Sequence, residues 1–304
     1  MAKDFISILD FKDRLQEILR IGGEIKKKFK NGEPYHPLKG KSLGMIFEKP
    51  STRTRISFEV GTTQLGGHAL YLSPKDLQLG RGETIADTAK VLSRYVDGVM
   101  YRAFEHEMMK ELAENSSIPV ISGLDDMEHP CQIMADLMTI REHKDDFDIK
   151  LVYVGDGNNV CHSLLLGSAI VGMDMVACTP EGYEPMEKYV EKAKQIGEET
   201  GANIEVSYDP ISSVKGADVI YTDVWVSMGD EEEKEKRMKD FENYQVNQSM
   251  VDLAKDDVIV MHCLPAHRGI EITDEVIDGD HSVVFDQAEN RLHAQKAIMA
   301  ELMG

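Results

Sequence analysis

The stretch Lys150-Leu151-Val152-Tyr153-Val154-Gly155-Asp156-Gly157-Asn158-Asn159 reads as a strand that runs into a glycine turn and hands the chain to a helix start. Outward from it, apolar runs of strand length alternate with longer helical patterns in both directions, the signature of βα units around mainly parallel sheets. C-terminal to it, strands are expected at 174–179, 203–207, 218–223 and 257–262. A helix over 184–200 fills the longest interval and stops at Gly201, a favoured residue just past a helix. N-terminal to it, strands are expected at 42–48, 68–73, 98–102 and 118–122, with a helix over 84–95 opened by Thr84 and Asp87 in a capping-box-like start. Residues 6–29 and 287–303 read as an opening and a closing helix; Ala, Leu, Met and Ile recur at helical spacing in the latter, so it should pack against something.

The fold class expected is therefore α/β, in two domains that are each a mainly parallel sheet flanked by helices. The length of 304 residues agrees, at about 150 residues per domain. The charged stretch 142–148 is the expected seam, dividing the chain into 1–144, 145–286 and a closing segment 287–304 that packs back on the first domain. Neither a low-complexity linker nor an internal repeat of 20–50 residues is present.

Hydrophobic residues at 42% and charged residues at 29% exclude disordered, collagen-like and disulfide-scaffold classes. Fifty-four acidic against 34 basic residues give a net charge of −20, which repels a phosphate backbone and argues against nucleic-acid binding. The start, Met1 to Phe11, lacks the apolar run of a secretory signal, and no charge-free stretch reaches the about 18 residues of a membrane span. Cys131, Cys161, Cys178 and Cys263 show no CxxC or CxxH spacing, so neither a zinc site nor a disulfide frame is signalled. A cytoplasmic chain with reduced thiols, no metal and no membrane partner is expected.

In open α/β sheets ligands bind beyond the carboxyl ends of strands, so the residues that follow each expected strand are candidates. Ser51-Thr52-Arg53-Thr54-Arg55 places hydroxyls, backbone N–H groups and guanidiniums at a helix start, where a phosphate is favoured; simple capping with surface arginines is the alternative. It lacks the glycines of a nucleotide-binding P-loop. Arg102 ends a strand and can clamp an oxygen anion, and His129-Pro130-Cys131-Gln132 offers an imidazole and an amide at a helix start. Asp223-Val224-Trp225-Val226-Ser227-Met228-Gly229 holds the only Trp, and an acid able to pair with an amine. His262-Cys263-Leu264-Pro265 carries a thiol at a strand end, as a nucleophile or a buried structural cysteine. Gly155-Asp156-Gly157-Asn158-Asn159 lacks the third glycine of a dinucleotide fingerprint, which counts against a Rossmann-type oxidoreductase, and its asparagines are amide donors suited to a carboxylate. The charged run 230–236 reads as a solvated face or loop.

In this order and over essentially the whole chain, these motifs resemble the aspartate and ornithine carbamoyltransferase superfamily, nearest its ornithine-using members. Leu77-Gln78-Leu79-Gly80-Arg81-Gly82-Glu83 is similar to the family's loop that reaches a neighbouring subunit's site, and Ala288-Glu289-Asn290-Arg291 to its late arginine motif. The resemblance implies attack of the neutral δ-amine of L-ornithine on the carbonyl carbon of carbamoyl phosphate, giving citrulline and phosphate with no cofactor. It implies that Ser51, Thr52, Arg53 and Thr54 hold the phosphate with Gln78 from the next subunit, and that Arg102, His129 and Thr54 donate to the carbonyl oxygen. Pro130 and Cys131 belong to the same pocket, and Arg291 completes it. Gln132 and the backbone of Cys263 and Leu264 accept from the carbamoyl NH₂. Asn159 and the backbone of Met228 take the α-carboxylate, Asp223 and Ser227 the α-amino group, and Cys263 with Asp223 orients the δ-amine. It further implies a homotrimer or a multiple of it, with sites at subunit boundaries, and a Ser227-Met228-Gly229 loop that closes on the second substrate. Aspartate, putrescine or an acylated ornithine are the rival acceptors.

Overall fold

The computed structural model of the chain describes residues 3–75, 77–78, 82–226 and 231–304. They form two compact units, Met1–Met138 with Glu289–Gly304, and Thr139–Ala288. The first unit enters as a 3-10 turn, Ile8–Arg14, and continues as α1, Leu15–Lys30. The helix expected over 6–29 starts at Ile8, because Ser7 closes a capping box with Asp10 and Phe5 is held as a one-residue bridge beside Ile121, and its first seven residues are wound as 3-10. Then β1 (Ser42–Phe47) leads to α2 (Thr52–Gln64), β2 (His68–Leu72) to α3 (Ile85–Leu92), β3 (Gly98–Arg102) to α4 (His106–Asn115), and β4 (Val120–Leu124) to α5 (Pro130–Lys144). The strands pair in parallel in the order β2-β1-β3-β4. Thr84 caps α3 as its sequence predicts, accepting the Asp87 N–H at 3.1 Å. Ile46, Val99, Tyr101, Met109, Leu112 and Val120 fill the core between sheet and helices. Each such side chain taken out of water contributes about 1.5–3 kcal/mol, which is what holds a parallel sheet covered on both faces.

In the second unit β5 (Lys150–Val154) leads to α6 (Asn159–Val171), β6 (Asp174–Cys178) to α7 (Glu187–Thr200), and β7 (Ile204–Ser207) to α8 (Pro210–Val214). After β8 (Val219–Thr222) come α9 (Lys234–Asp240) and α10 (Gln248–Val251), then β9 (Ile259–His262), α11 (Asp274–Ile277) and α12 (Val284–Met303). This sheet is also parallel, in the order β7-β6-β5-β8-β9. α7 starts three residues later than its pattern suggests because the Met186 N–H is drawn to His162 Nε2 at 3.0 Å, and it ends at Gly201, whose φ of +92° suits glycine alone. Trp225 is core: it is buried and stacks on Phe241 at 5.6 Å.

Both strand orders contain a reversal. In the first sheet the chain moves from β1 outward to β2, then crosses to β3 on β1's other side; in the second it runs from β5 to β6 and β7, then crosses to β8. Such switch points open a crevice at the carboxyl ends of the two strands involved. The crevices fall beyond β1 and β3 in one unit and beyond β5 and β8 in the other.

Candidate active site

At the first switch point, β1 and β3 are paired to their last residues, Phe47 opposite Arg102, and the Glu48 N–H donates to the Arg102 carbonyl at 3.0 Å. Three residues on, Ser51 caps α2 by accepting the Thr54 N–H at 3.2 Å. The β3–β4 register shifts between Tyr101 and Arg102, and Leu124, opposite Arg102, has φ +151°. An irregularity of this kind re-aims a side chain at a sheet end. Arg102 is buried and donates to the Gly123 carbonyl at 3.5 Å.

Arg291 of α12 ties this crevice together. It is 2% exposed, and it donates to Gln132 Oε1 at 2.6 Å and to Thr54 Oγ1 at 3.2 Å. With its amide turned to match its neighbours, Gln295 also accepts from Arg291, at 2.9 Å, and donates to Ser57. Gln132 in turn donates to the buried Asp136 at 2.8 Å. His129 sits among these cations. Burial first, and then the charges of Arg291, Arg102 and Arg53, hold its imidazole well below the usual range, so it is neutral at physiological pH. A neutral imidazole beside three guanidiniums can donate an N–H to a carbonyl oxygen without adding a fourth positive charge.

At the second switch point, Asn158 caps α6, its side-chain oxygen accepting the Val160 and Cys161 N–H groups at 3.0 and 3.2 Å. Its NH₂ donates to Asp223 Oδ2 at 2.8 Å, while the Cys263 thiol donates to Asp223 Oδ1 at 3.0 Å. Asp223 is thereby oriented from both sides. One ligand-type atom from each of Asp223, His262 and Cys263 lies within 4.8 Å of the others, the spacing of a metal trio. Both nitrogens of His262 are already engaged: Nδ1 accepts the Leu264 N–H at 2.9 Å, and Nε2 lies 3.1 Å from Glu271. A nitrogen that accepts carries no proton, so hydrogen-bond geometry assigns the ring proton to Nε2, and the trio is a hydrogen-bonded cluster with no imidazole lone pair to give a metal.

Thr54, Gln132 and Arg291, expected in one pocket, form one network. Gln132 Oε1 accepts from Arg291, and as an amide oxygen with two lone pairs it keeps a second acceptor position. Pro130 opens α5; Cys131 is buried behind it, its thiol pushed up to about 12 by burial. Arg55 turns outward, over the Tyr71 ring at 3.9 Å and against Glu59. Thr52 and Gln78 are exposed, and Asn159 is the half-buried first residue of α6. Ser227 and Met228 lie outside the described residues, as do Leu79, Gly80 and Arg81.

Three contributors escape sequence reasoning. Asn158 is legible as a helix cap but not as the residue that aims Asp223. Arg237 stands beside a charged run and is nevertheless buried, donating to Asp156 and to the Trp225 carbonyl, each at 3.0 Å. Glu271 looks like any surface acid, yet is fully buried behind His262.

Two parallel-sheet units, one gathering cations at its switch point and the other a carboxylate and a thiol, define an α/β protein whose two crevices have opposite chemistry, the first suited to an anion and the second to an amine. Comparison with known proteins gives its family. The chain belongs to the aspartate/ornithine carbamoyltransferase family: its carbamoyl-P binding domain profile matches residues 3–142, and its Asp/Orn binding domain profile residues 147–302. A curated ornithine carbamoyltransferase of Oceanobacillus iheyensis is 60% identical over 99% of this chain and 94% of its own, and one of Methanosarcina mazei is 57% identical over the whole of both. Among solved structures, the ornithine carbamoyltransferase of Pyrococcus furiosus superposes with a TM-score of 0.97 at 55% identity, covering 100% of this chain and 97% of its own.

Proposed function

We propose that this chain transfers the carbamoyl group of carbamoyl phosphate to the δ-amine of L-ornithine, giving L-citrulline and phosphate, in arginine metabolism. The observation that carries this reading is Asp223, aimed by Asn158 and Cys263 in the unit that matches the amino-acid-binding profile. A buried carboxylate there attracts an ammonium or amine and repels the second carboxylate of aspartate, which favours ornithine among the family's acceptors. The full-length identity to curated ornithine carbamoyltransferases points the same way.

In the donor half, Ser51, Thr52, Arg53 and Thr54 cradle the phosphate at the α2 start, where helix dipole and guanidinium act together. Arg102 and neutral His129 donate to the carbonyl oxygen as it gains charge. Gln132 and Arg291 brace the pocket, and the backbone around Pro130 and Cys131 lines it. In the acceptor half, Asn159 and Met228 take the α-carboxylate, Asp223 and Ser227 the α-amino group, and Cys263 orients the δ-amine while the backbone of Cys263 and Leu264 accepts from the carbamoyl NH₂. The amine nitrogen bonds to the carbonyl carbon, the bond to the phosphate oxygen breaks with its electron pair leaving on phosphate, and the amine's proton ends on that phosphate. Holding two polar reactants in line, with water excluded, supplies the acceleration, and no cofactor or metal takes part.

We assign residues 1–144 to the donor, 145–286 to the acceptor and 287–304 to the closing helix, and place the protein in the cytoplasm as a homotrimer or a multiple of trimers. No described helix is long and apolar enough to cross a membrane. Ile56 on α2 and Leu70 and Tyr71 on the edge strand β2 are exposed, an apolar face suited to a second copy, and Gln78, six residues beyond the end of β2, is exposed as well. A substrate panel tests the reading: citrulline should form from carbamoyl phosphate and ornithine, and faster turnover of aspartate or putrescine would overturn it.

A further inference from the structure

In the first unit, a cavity of about 400 Å³ lies where the C-terminal ends of α1 and α2 meet α12. Gly32, Glu33 and Pro34 are exposed on its rim, and Phe29, Leu65 and Lys296 form its wall. Lys296 is 1% exposed, its stem passing Gly61 of α2, where a Cβ would lie 3.5 Å from Lys296 Cγ. Its Nζ stands 4.0 Å from the centre of the Phe29 ring, and among the described residues it has no hydrogen bond and no ion pair. An aromatic face attracts an ammonium but cancels none of its charge. Gln64 Oε1, on the same wall, is buried and has no partner either.

No neighbouring group supplies the missing charge. On α1, Lys26 donates to Asn290 at 2.8 Å, and Lys30 pairs with Glu289 at 3.0 Å. Glu33 accepts from Asn31 at 3.1 Å, and Tyr35 and His36 are the other titratable groups on the wall. On α12, burial first and the charge of Lys296 next hold the His293 imidazole down at about 4, so it is neutral. Burial likewise holds the Lys296 ammonium down at about 8 from an ordinary 10.5. A buried amine without a counter-ion gives up its proton readily and is then a nucleophile.

We propose that Lys296 is a carbamoylation site, at which Nζ adds to isocyanic acid that has entered the cavity. Nζ bonds to the carbon, the C=N π bond opens, and the proton that leaves Nζ ends on the isocyanate nitrogen, giving a neutral ureido side chain. The reagent is small and uncharged, which suits a nearly buried amine. Carbamoyl phosphate yields isocyanic acid on losing hydrogen phosphate, so the donor assigned above is also a source of it. That source rests on the function proposed above, whereas the reactivity of Lys296 does not.

The test incubates the folded protein with limiting potassium cyanate at pH 8 and reads each lysine by peptide mass spectrometry. At that pH about half of an amine held at about 8 is neutral, against about one in 300 at an ordinary 10.5. We expect Lys296 to be carbamoylated at least about tenfold faster than the exposed Lys90 and Lys194, and all three to react within about twofold of one another once the chain is unfolded in guanidinium chloride. Lys296 reacting no faster than Lys90 in the folded protein would overturn the proposal. Gln64→Glu puts a counter-ion on the same wall and should slow Lys296 by about tenfold or more. Parent-like labelling in that variant would likewise overturn it. Carbamoyl phosphate should label Lys296 in step with the cyanate it releases, and label that runs ahead of that release would overturn the isocyanate route. Citrulline is read in none of these arms, so a failure of the reaction assigned above would leave the cyanate result unchanged.

Discussion

A guanidinium as buried as Arg291 must have its donors matched, and Thr54, Gln132 and Gln295 match them from α2, α5 and α12 itself. The cost of burying that charge is offset by the order it imposes: the hydroxyl of Thr54 and the amide of Gln132 are each held in one orientation before a donor molecule arrives. Next to His129, Glu128 shows the same region from its titration. Burial, opposed by the Ser7 hydroxyl at 2.9 Å and reinforced by Asp125, pushes its carboxyl up to about 7 from an ordinary 4.5. An acid whose folded value is raised stabilises the fold fully below its unfolded value and loses that contribution as pH rises through the folded one. Between pH 4.5 and 7 the loss from this group is on the order of 3 kcal/mol. Denaturant unfolding at both ends of that window should show the loss in the parent and not in Glu128→Gln; the same pH slope in both would refute it.

Among the elements, the turn from β5 into α6 is the most tightly built. A Cβ on Gly157 would lie 2.1 Å from the Pro185 nitrogen and 2.4 Å from the Glu184 carbonyl carbon, and the Gly157 N–H donates to the Tyr183 carbonyl at 2.9 Å. Backbone meets backbone there, so no side-chain adjustment makes room. Gly157→Ala should displace Asn158 and with it Asp223, raising the KM for ornithine by about a hundredfold while carbamoyl phosphate affinity is unchanged. Parent-like ornithine KM would contradict the account. The strand that precedes this turn is legible as a run of apolar residues, as are the others that are buried along their length, because a strand buried on both faces leaves a continuous apolar trace; the edge strands β2 and β7 are partly exposed and carry a weaker one. Ends were less so: Thr84 and Gly201 punctuate their helices by local chemistry, whereas the late start of α7 depends on His162, 24 residues away, and leaves no local mark. The same holds in the sites. Thr54, Gln132, Arg291, Asp223 and Cys263 stand at strand ends or in motifs, but Arg237 and Glu271 act from within the second unit's interior, where only tertiary packing distinguishes them from solvated charges.

At the scale of the whole molecule, a chain of net charge −20 keeps Arg53, Arg102 and Arg291 around one neutral imidazole. Their local field has to outweigh the repulsion of the rest for a doubly charged donor to enter. If Gln78 serves a neighbour's crevice, mixing Gln78→Ala with Arg53→Ala protein should restore some citrulline formation, because a hybrid assembly contains sites that carry neither substitution. Verified hybrids without activity would mean that each site is built within one chain. Calorimetric titration of carbamoyl phosphate, without ornithine, into the parent and into Arg53→Ala tests the electrostatic basis of the account most directly. Saturable binding to the parent and a loss of about a hundredfold or more in the variant, with unfolding behaviour unchanged, is the predicted result. Equal affinity in the two proteins would contradict it.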